Sequence, residues 1–316
     1  MTHKAGEVAE HARREFAKVI AGQREALDEI LLVLLVGGHA LVEGVPGLAK
    51  TLAVKTLAHL FQLRFQRVQC TPDLMPADVI GSSVFNLASG SFTLHRGPIF
   101  TDLLLVDEVN RTPPRTQSAL LEAMEERQVT IDGATEALSD FFAVFATQNP
   151  VEFEGTYPLP EAQLDRFLVK IRVEYPEPEQ EIEILRKFQE GFDPRQLDRA
   201  GLVPLPAEAL RAAREEIAGV RVEPSLCRYI VSIAERTRSW PSVSLGASPR
   251  ASVNLMQFAK GIAATENRDF LIPDDVKAAA APVLRHRLIL KPEADLEGVT
   301  AEQVIHQVVA SIDVPQ

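Results

Sequence analysis

The chain has 316 residues, enough for a well-buried core and two domains, and its composition of 46% hydrophobic and 24% charged residues is ordinary for a globular protein. Its net charge of −11 argues against broad nonspecific binding of nucleic acid, which needs an electropositive surface. Two unrelated cysteines exclude a disulfide framework and a cysteine zinc site, and the absence of a signal-peptide core or a membrane-length apolar run predicts a soluble, cytoplasmic protein.

Residues 1–174 alternate between helical and strand patterns. Apolar residues at helical spacing predict helices over 6–21 and 25–36. Five short apolar runs follow, and continuous apolar runs are typical of strands buried on both faces: Ala40–Glu43, Arg64–Gln69, Leu103–Val106, Phe141–Thr147 and Leu168–Val173. Their alternation with helices predicts a parallel sheet in an α/β layer fold.

The first of these strands runs into Gly44-Val-Pro-Gly-Leu-Ala-Lys-Thr51, and an amphipathic helical segment comes next. This order is typical of a phosphate-binding loop, because glycines let backbone N–H groups reach phosphate oxygens. Lys50 can then reach the terminal phosphates and Thr51 can ligate Mg²⁺. Ala49 stands where the common motif has glycine, so these residues alone leave open a plain strand-to-helix turn with a surface lysine.

Two stretches interrupt the alternation. Residues 76–100 carry three glycines among alternating apolar residues and predict an insertion that bears a hairpin. Residues 128–138 place Asp132-Gly133 between two short β-rich runs, which is a strong hairpin signal. Each stretch precedes a strand, so we expect both to project from the sheet.

Polar residues follow two of the buried strands. Asp107 and Glu108 end the third strand, at the edge where ligands of open α/β sheets bind. Asp107 can hold Mg²⁺ there, and Glu108 can orient and deprotonate a water molecule. Asn149 follows the fourth strand, where its amide could bind that water or the γ-phosphate; taken alone, it is explained equally well as a local Asn-Pro turn.

Two arginines complete the candidate site. Arg166 lies just before the fifth strand and could stabilise charge that develops during phosphoryl transfer. Arg250 lies in the first turn of a predicted helix, where the helix dipole does not favour a cation. An anionic partner would explain Arg250, although a solvated surface arginine is the commoner case.

From residue 175 the pattern changes. An acidic, proline-rich turn, a helix over 180–190 and a proline-containing stretch predict a linker at 175–206. Helical patterns without a convincing strand then predict an all-helical domain at 207–316, after a nucleotide-binding domain at 1–174. Three of its helices are expected to begin at a proline. The helices are predicted at 207–218, 224–238, 249–265, 273–286 and 301–311.

Together these stretches resemble the AAA+ ATPases, and within them the MoxR family, in which alanine before the Walker A lysine is common. The resemblance covers nearly the whole chain. It is carried by Gly44–Thr51, Gly97–Phe100, Asp107–Arg111, Gln117–Met124, Glu126–Thr130, Ala146–Pro150, Pro160–Phe167 and Gly246–Ala251. It implies a three-layer αβα body whose five parallel strands lie in the order 5-1-4-3-2, with hairpin insertions at about 76–100 and 127–140 and a C-terminal all-α lid.

The resemblance also assigns roles to single residues. Its nucleotide-binding residues are Val19, Ile20, Gly22 and Gln23 near the adenine, and Gly44, Val45, Pro46, Gly47, Leu48, Ala49, Lys50, Thr51 and Leu52 in Walker A and directly after it. Thr51 and Asp107 would hold Mg²⁺. The catalytic residues would be Lys50, Glu108 of Walker B, Asn149 as sensor 1, Arg166 as arginine finger and Arg250 as sensor 2. For Arg111 and for Arg285 and Arg287 we expect structural salt bridges.

The function that the resemblance implies is ATP hydrolysis that drives chaperone-like remodelling or activation of partner proteins. In relatives the arginine finger enters the neighbouring subunit's site, which requires a ring, most often a hexamer. A partner with a von Willebrand factor A domain is typical, and metal or cofactor insertion is a typical outcome.

Two alternatives come from other classes. A nucleic-acid motor shares the hairpin insertions, but a loop that follows DNA should be basic. Here the 76–100 insertion is poor in lysine and the 128–138 hairpin carries Asp132 and Glu136 without a basic residue. A nucleotide-gated scaffold with little hydrolysis is the other alternative, and the presence of both Glu108 and Arg166 argues against it.

Overall fold

Five parallel strands form the central sheet of the computed structural model, which describes residues 4–87, 90–149 and 156–315. In spatial order they are β2 (Phe65–Gln69), β5 (Leu103–Asp107), β8 (Ala143–Gln148), β1 (Ala40–Glu43) and β9 (Val169–Arg172). Counted along the chain, this is the order 5-1-4-3-2, so the expected topology is confirmed. The registers place the carboxyl ends of β1, β5 and β8 at one edge of the sheet.

The sheet separates two hydrophobic cores. β5 is buried along its whole length, and its successive side chains point to opposite faces. Leu103 and Leu105 belong to the core on one face of the sheet, and Leu104 and Val106 belong to the core on the other face. The first core contains α1 (Lys4–Val19), α2 (Arg24–Val36) and α3 (Lys50–Leu60), and the second contains α4 (Pro76–Ile80) and α5 (Pro114–Glu126). The three αβα layers are therefore present.

Both expected hairpins are confirmed. β3 (Gly81–Asn86) pairs antiparallel with β4 (Ser91–Arg96), and β6 (Gln128–Ile131) pairs antiparallel with β7 (Ala134–Ala137). The second turn has φ of 49° at Asp132 and 85° at Gly133, as a two-residue turn of the mirror-image type requires. Residues 88 and 89 lie outside the described residues.

The C-terminal region is helical, and three of its helices, α9 to α11, begin at the expected prolines. Its helices, together with those that lead into it, are α6 (Glu161–Leu164), α7 (Pro178–Gln189), α8 (Ala207–Gly219), α9 (Pro224–Arg238), α10 (Pro249–Thr265), α11 (Pro273–Leu284), α12 (Pro292–Leu296) and α13 (Ala301–Ala310). Two features differ from the expectation. Helix α12 was not predicted, and β10 (Val243–Leu245) and β11 (Ile289–Leu290) form an antiparallel pair. Strands of three and two residues are too short to show a period of two, which is why the sequence did not indicate them.

The C-terminal helices pack directly on the N-terminal ones. α1 contacts α8 and α10, and α2 contacts the same two helices, so the first hydrophobic core extends into the C-terminal region. The domain boundaries at 174/175 and 206/207 stay a prediction. In the described part of the chain, no helix is both long and apolar enough to cross a membrane.

Candidate functional site

A cavity of about 490 Å³ lies at the carboxyl edge of the sheet, where the sequence predicts the site. It has the size of a small-molecule site. Residues from the glycine loop, from the ends of β5 and β8, from the end of α1 and from α7 meet in its wall. They include Val19, Ile20, Gln23, Pro46, Gly47, Leu48, Ala49, Lys50, Thr51, Leu52, Asp107, Glu108, Thr147 and Asn149. Three residues assigned to nucleotide binding, Gly22, Gly44 and Val45, are not in this wall.

The glycine loop has the backbone that phosphate binding needs. Gly47 and Ala49 have φ of 90° and 54°, so alanine at the unusual position takes the left-handed conformation that glycine adopts without strain. A Cβ at Gly44 would lie 2.7 Å from the Val173 carbonyl oxygen, so no other residue fits there. α3 begins directly after the loop, at Lys50, and so its N-terminus faces the cavity.

Lys50 is half-buried in the cavity wall. Its ammonium group donates to the carbonyl oxygens of Gly44 and Val45. Burial lowers the pKa of Lys50, and the nearby carboxylates of Asp107 and Glu108 oppose that effect. Lys50, Asp107 and Glu108 all line the same cavity, so the lysine could contact an anionic ligand while the carboxylates face its counter-ion.

Thr147 joins the two strand ends at the site. Its hydroxyl group accepts a hydrogen bond from the backbone N–H of Glu108 at 2.9 Å and donates to Oδ1 of Asp107 at 2.9 Å. Glu108 has a φ of 59°, a strained left-handed conformation for a residue with a side chain. The hydroxyl of Thr147 thus helps to hold the backbone turn that aims both carboxylates at the cavity.

Further polar partners reach the two carboxylates. Arg67 donates from Nε to Oδ2 of Asp107 at 2.6 Å, and Gln69 donates to Oε2 of Glu108 at 3.0 Å. Arg111 forms an ion pair with Glu108 at 3.3 Å, as expected of a structural salt bridge. Sequence reasoning missed Arg67 and Gln69, although they are polar residues on a strand that ends at the same edge of the sheet.

Helix α7 forms the apolar wall that sequence reasoning also missed. Ile184 and Phe188 of α7, and Phe192 shortly after its end, line the cavity together with Val19 and Ile20. The rings of Phe188 and Phe192 lie edge to face, with centroids 6.0 Å apart. An apolar, partly aromatic lining of this kind suits a planar heteroaromatic base. The only sequence sign of this wall is the helical spacing of its apolar residues.

Helix α7 is fixed against the end of α1. Lys187 donates to the Ala17 carbonyl oxygen at 2.6 Å. The Gln180 side chain covers Gly22, so closely that a Cβ at this glycine would lie 2.0 Å from its Oε1 atom. Gly22 therefore supports the apolar wall, although it does not line the cavity itself.

Arg166 and Arg250 lie outside the cavity wall, and both form an ion pair with the same residue, Glu125. Glu125, near the end of α5, forms an ion pair with Nε of Arg166 at 3.1 Å and with Nη2 of Arg250. The hydrogen bond and charge of Arg250, and then the charge of Arg166, hold the pKa of Glu125 below its ordinary value. Because β9 starts level with β1, Arg166, three residues before β9, lies toward the amino edge of the sheet, away from the glycine loop.

The site as a whole can bind a nucleotide with a divalent cation. Hydroxyl and carboxylate oxygens at Thr51 and Asp107 are ligands of the type that Mg²⁺ prefers. Among the described residues there is no cluster of three or more His, Cys, Asp or Glu side chains.

Comparison with known proteins agrees with this geometry. Residues 39–169 match the model of the ATPase family associated with various cellular activities (AAA), and residues 235–308 match the AAA lid domain. The chain is 46% identical to "Uncharacterized protein YeaC" of Bacillus subtilis, over 98% of this chain and 94% of that protein. It is 42% identical to "Chaperone MoxR1" of Mycobacterium tuberculosis, over 97% of this chain and 82% of that protein. A crystal structure assigned as an ATPase, from Cytophaga hutchinsonii, superposes with a TM-score of 0.90 at 40% identity and covers 99% of this chain and 97% of its own.

Proposed function

The chain belongs to the MoxR family of AAA+ ATPases, and on that premise we propose that it hydrolyses ATP at sites shared between neighbouring subunits of a ring. The location of two arginines carries this proposal. Arg166 is assigned as the arginine finger and Arg250 as sensor 2, yet neither lines the cavity of its own subunit. A ring in which each subunit presents this pair to the next cavity completes every site.

Within one subunit the cavity residues have separate roles. The glycine loop and Lys50 bind the phosphates, Thr51 and Asp107 hold Mg²⁺, and the wall of α7 with Val19 and Ile20 takes the adenine. Bound Mg²⁺ neutralises charge on the phosphates. Glu108 orients and deprotonates the attacking water, and Asn149 positions that water or the γ-phosphate.

The ring would be a homo-hexamer that acts in the cytoplasm on partner proteins. "Chaperone MoxR1" is the relative whose name supports remodelling or activation of partners. We further propose a partner with a von Willebrand factor A domain, and metal or cofactor insertion as an outcome. The division into 1–174, 175–206 and 207–316 is part of the same proposal, and the matched segments 39–169 and 235–308 fall inside its two domains.

Single substitutions test the proposal. Arg166→Ala should abolish ATP hydrolysis while a fluorescent ATP analogue still binds with nearly unchanged affinity, because the residue serves the neighbouring site. Glu108→Gln should likewise bind ATP without turnover and trap partner proteins in a pull-down. Loss of ATP binding in Arg166→Ala would contradict a role outside the subunit's own cavity.

A further inference from the structure

Arg287, in the segment that follows α11, is buried although it carries a charge. Only 2% of its side chain is exposed to solvent. Each of its five N–H groups is within hydrogen-bond reach of an acceptor. Nε donates to Oδ1 of Asp165 at 2.7 Å, Nη1 to the carbonyl oxygens of Leu168 at 3.2 Å and of Val283, and Nη2 to those of Asp165 at 3.1 Å and of Phe167.

Four of these five acceptors belong to residues 165–168, the segment that contains Arg166. Two further residues of the C-terminal region hold the same segment. His286 Nε2 lies 3.2 Å from the Phe167 carbonyl oxygen, and the Ser248 hydroxyl donates to Oδ2 of Asp165 at 2.9 Å. The residues on both sides of Arg166 are thus fixed by one region of the protein.

The contact made by Ser248 ties Arg250 into the same unit. Ser248 is the N-cap residue of α10, and Arg250 is in the first turn of that helix. Asp165 therefore links the segment before β9 to the start of α10, while Glu125 holds the two guanidinium groups on the other side. The backbone positions of Arg166 and Arg250 are set by the C-terminal helices and their tips by α5.

Arginine is the residue that this arrangement requires. Burial lowers the pKa of Arg287, and the hydrogen bond and charge of Asp165 oppose that effect. A planar guanidinium can serve five acceptors in fixed directions, whereas the lysine ammonium has three donors on a flexible chain. A lysine here would keep the charge and leave carbonyl oxygens of the 165–168 segment without donors.

We propose that Arg287 is a positioning residue for Arg166, and that it transmits movements of the C-terminal helices to the arginine pair offered to the next subunit. The proposal rests on the proposed shared site. It predicts a defect in only one of the two sites that a subunit contributes to. A subunit with an altered Arg287 should fail to complete its neighbour's site and should still bind and hydrolyse ATP in its own.

Mixed rings measure separately the effect of a substitution on the neighbour's site and on the subunit's own site. In the donor assay, Lys50→Ala subunits, which offer Arg166 and cannot use ATP, are mixed with Arg166→Ala subunits, which bind ATP and lack the finger. Arg287→Lys is added first to the Lys50→Ala chain and then, in the recipient assay, to the Arg166→Ala chain. Arg285→Lys is the matched control, because Arg285 lies two residues away and pairs with Glu29 and Glu302 instead.

We expect Arg287→Lys to reduce ATP turnover roughly tenfold to hundredfold in the donor assay, since a misplacement of about 1 Å has effects of that size. In the recipient assay, and with Arg285→Lys in either assay, turnover should stay within about twofold. Equal losses in both assays would show a merely structural role and overturn the inference, as would an unchanged donor assay.

Two further measurements keep these outcomes separate from other failures. If the Arg287→Lys chain does not fold, Asp165→Asn is tested in both assays, because it removes the ion pair with Arg287 and leaves the backbone contacts. We again expect a loss of turnover in the donor assay alone. An equal loss in both assays overturns the inference. If the unmodified Lys50→Ala and Arg166→Ala mixture is inactive, the shared site itself fails and the inference fails with it.

Discussion

At the scale of single residues, the hydroxyl group of Thr147 joins the two carboxylates of the site. Thr147 is 2% exposed and bonds both Asp107 and the backbone of Glu108. The sequence showed a polar residue at a strand end, but not that its hydroxyl holds the left-handed turn at Glu108. That role depends on the register between β5 and β8, which only packing determines.

We therefore expect Thr147→Val to lower ATP turnover by roughly tenfold or more, because small displacements of a catalytic carboxylate are costly. The change also leaves the partly buried N–H of Glu108 without an acceptor and removes a donor to the buried Asp107 carboxylate, and should destabilise the fold by about 1–3 kcal/mol. Thr147→Ser keeps the hydroxyl group and is the control. Steady-state turnover and urea unfolding measure the two effects. Wild-type turnover in the valine variant would contradict the assigned role.

A second residue, Glu29 on α2, makes stability depend on pH. Burial raises its pKa from 4.5 to about 7, with Glu25 and Glu302 adding to the rise and Arg285 opposing it. Between these two pH values the folded protein binds more protons at Glu29 than the unfolded chain does. The contribution of this residue to stability therefore falls as pH rises from 4.5 to 7.

Glu29→Gln should remove that loss. The variant should match the wild type near pH 5 and exceed its free energy of unfolding by on the order of 2 kcal/mol at pH 8. Urea unfolding at the two pH values measures the difference. A variant less stable than the wild type at pH 8 would mean that the ion pair with Arg285 outweighs the cost of burying the charge.

At the scale of elements, most of the sheet was predictable and the apolar wall was not. The five strands have continuous apolar runs because both of their faces are buried, and the registers of the sheet then bring their polar ends together. Helix α7 has no buried residue and shows only amphipathic spacing, which does not indicate what its apolar face contacts. The position of the C-terminal helices on α1 and α2, which places Arg250 beside Arg166, is likewise a matter of packing.

Substitution of Phe188 tests whether the apolar wall binds the base. Phe188→Ala should weaken ATP binding roughly tenfold, in line with the stacking energy of one base on an aromatic ring, and leave turnover at saturating ATP nearly unchanged. Leu185→Ala on the same helix is the control, since Leu185 is 69% exposed and is not in the cavity wall. Titration with a fluorescent ATP analogue measures the affinity. Equal effects of the two substitutions would count against a base-binding wall.

At the scale of the whole molecule, one subunit carries the cavity lined by the glycine loop and an arginine pair, Arg166 and Arg250, that lies outside the cavity wall. Glu125 keeps Arg166 and Arg250 together, so both should act on the same neighbouring nucleotide. Arg250→Ala should consequently behave as Arg166→Ala does: ATP binding is retained, hydrolysis is lost, and subunits with an intact arginine pair restore it. If only Arg166→Ala is rescued, Arg250 serves its own subunit.

The central claim, a site shared between subunits, is tested most directly by ATP turnover in mixtures of the two inactive variants Lys50→Ala and Arg166→Ala. With random assembly, about a quarter of the interfaces pair an intact cavity with an intact arginine when the two are present in equal amounts. Turnover should be absent for either variant alone, rise on mixing and reach its maximum at the equal ratio. Turnover that stays absent at every ratio, under conditions where mixed rings form, would contradict the shared site.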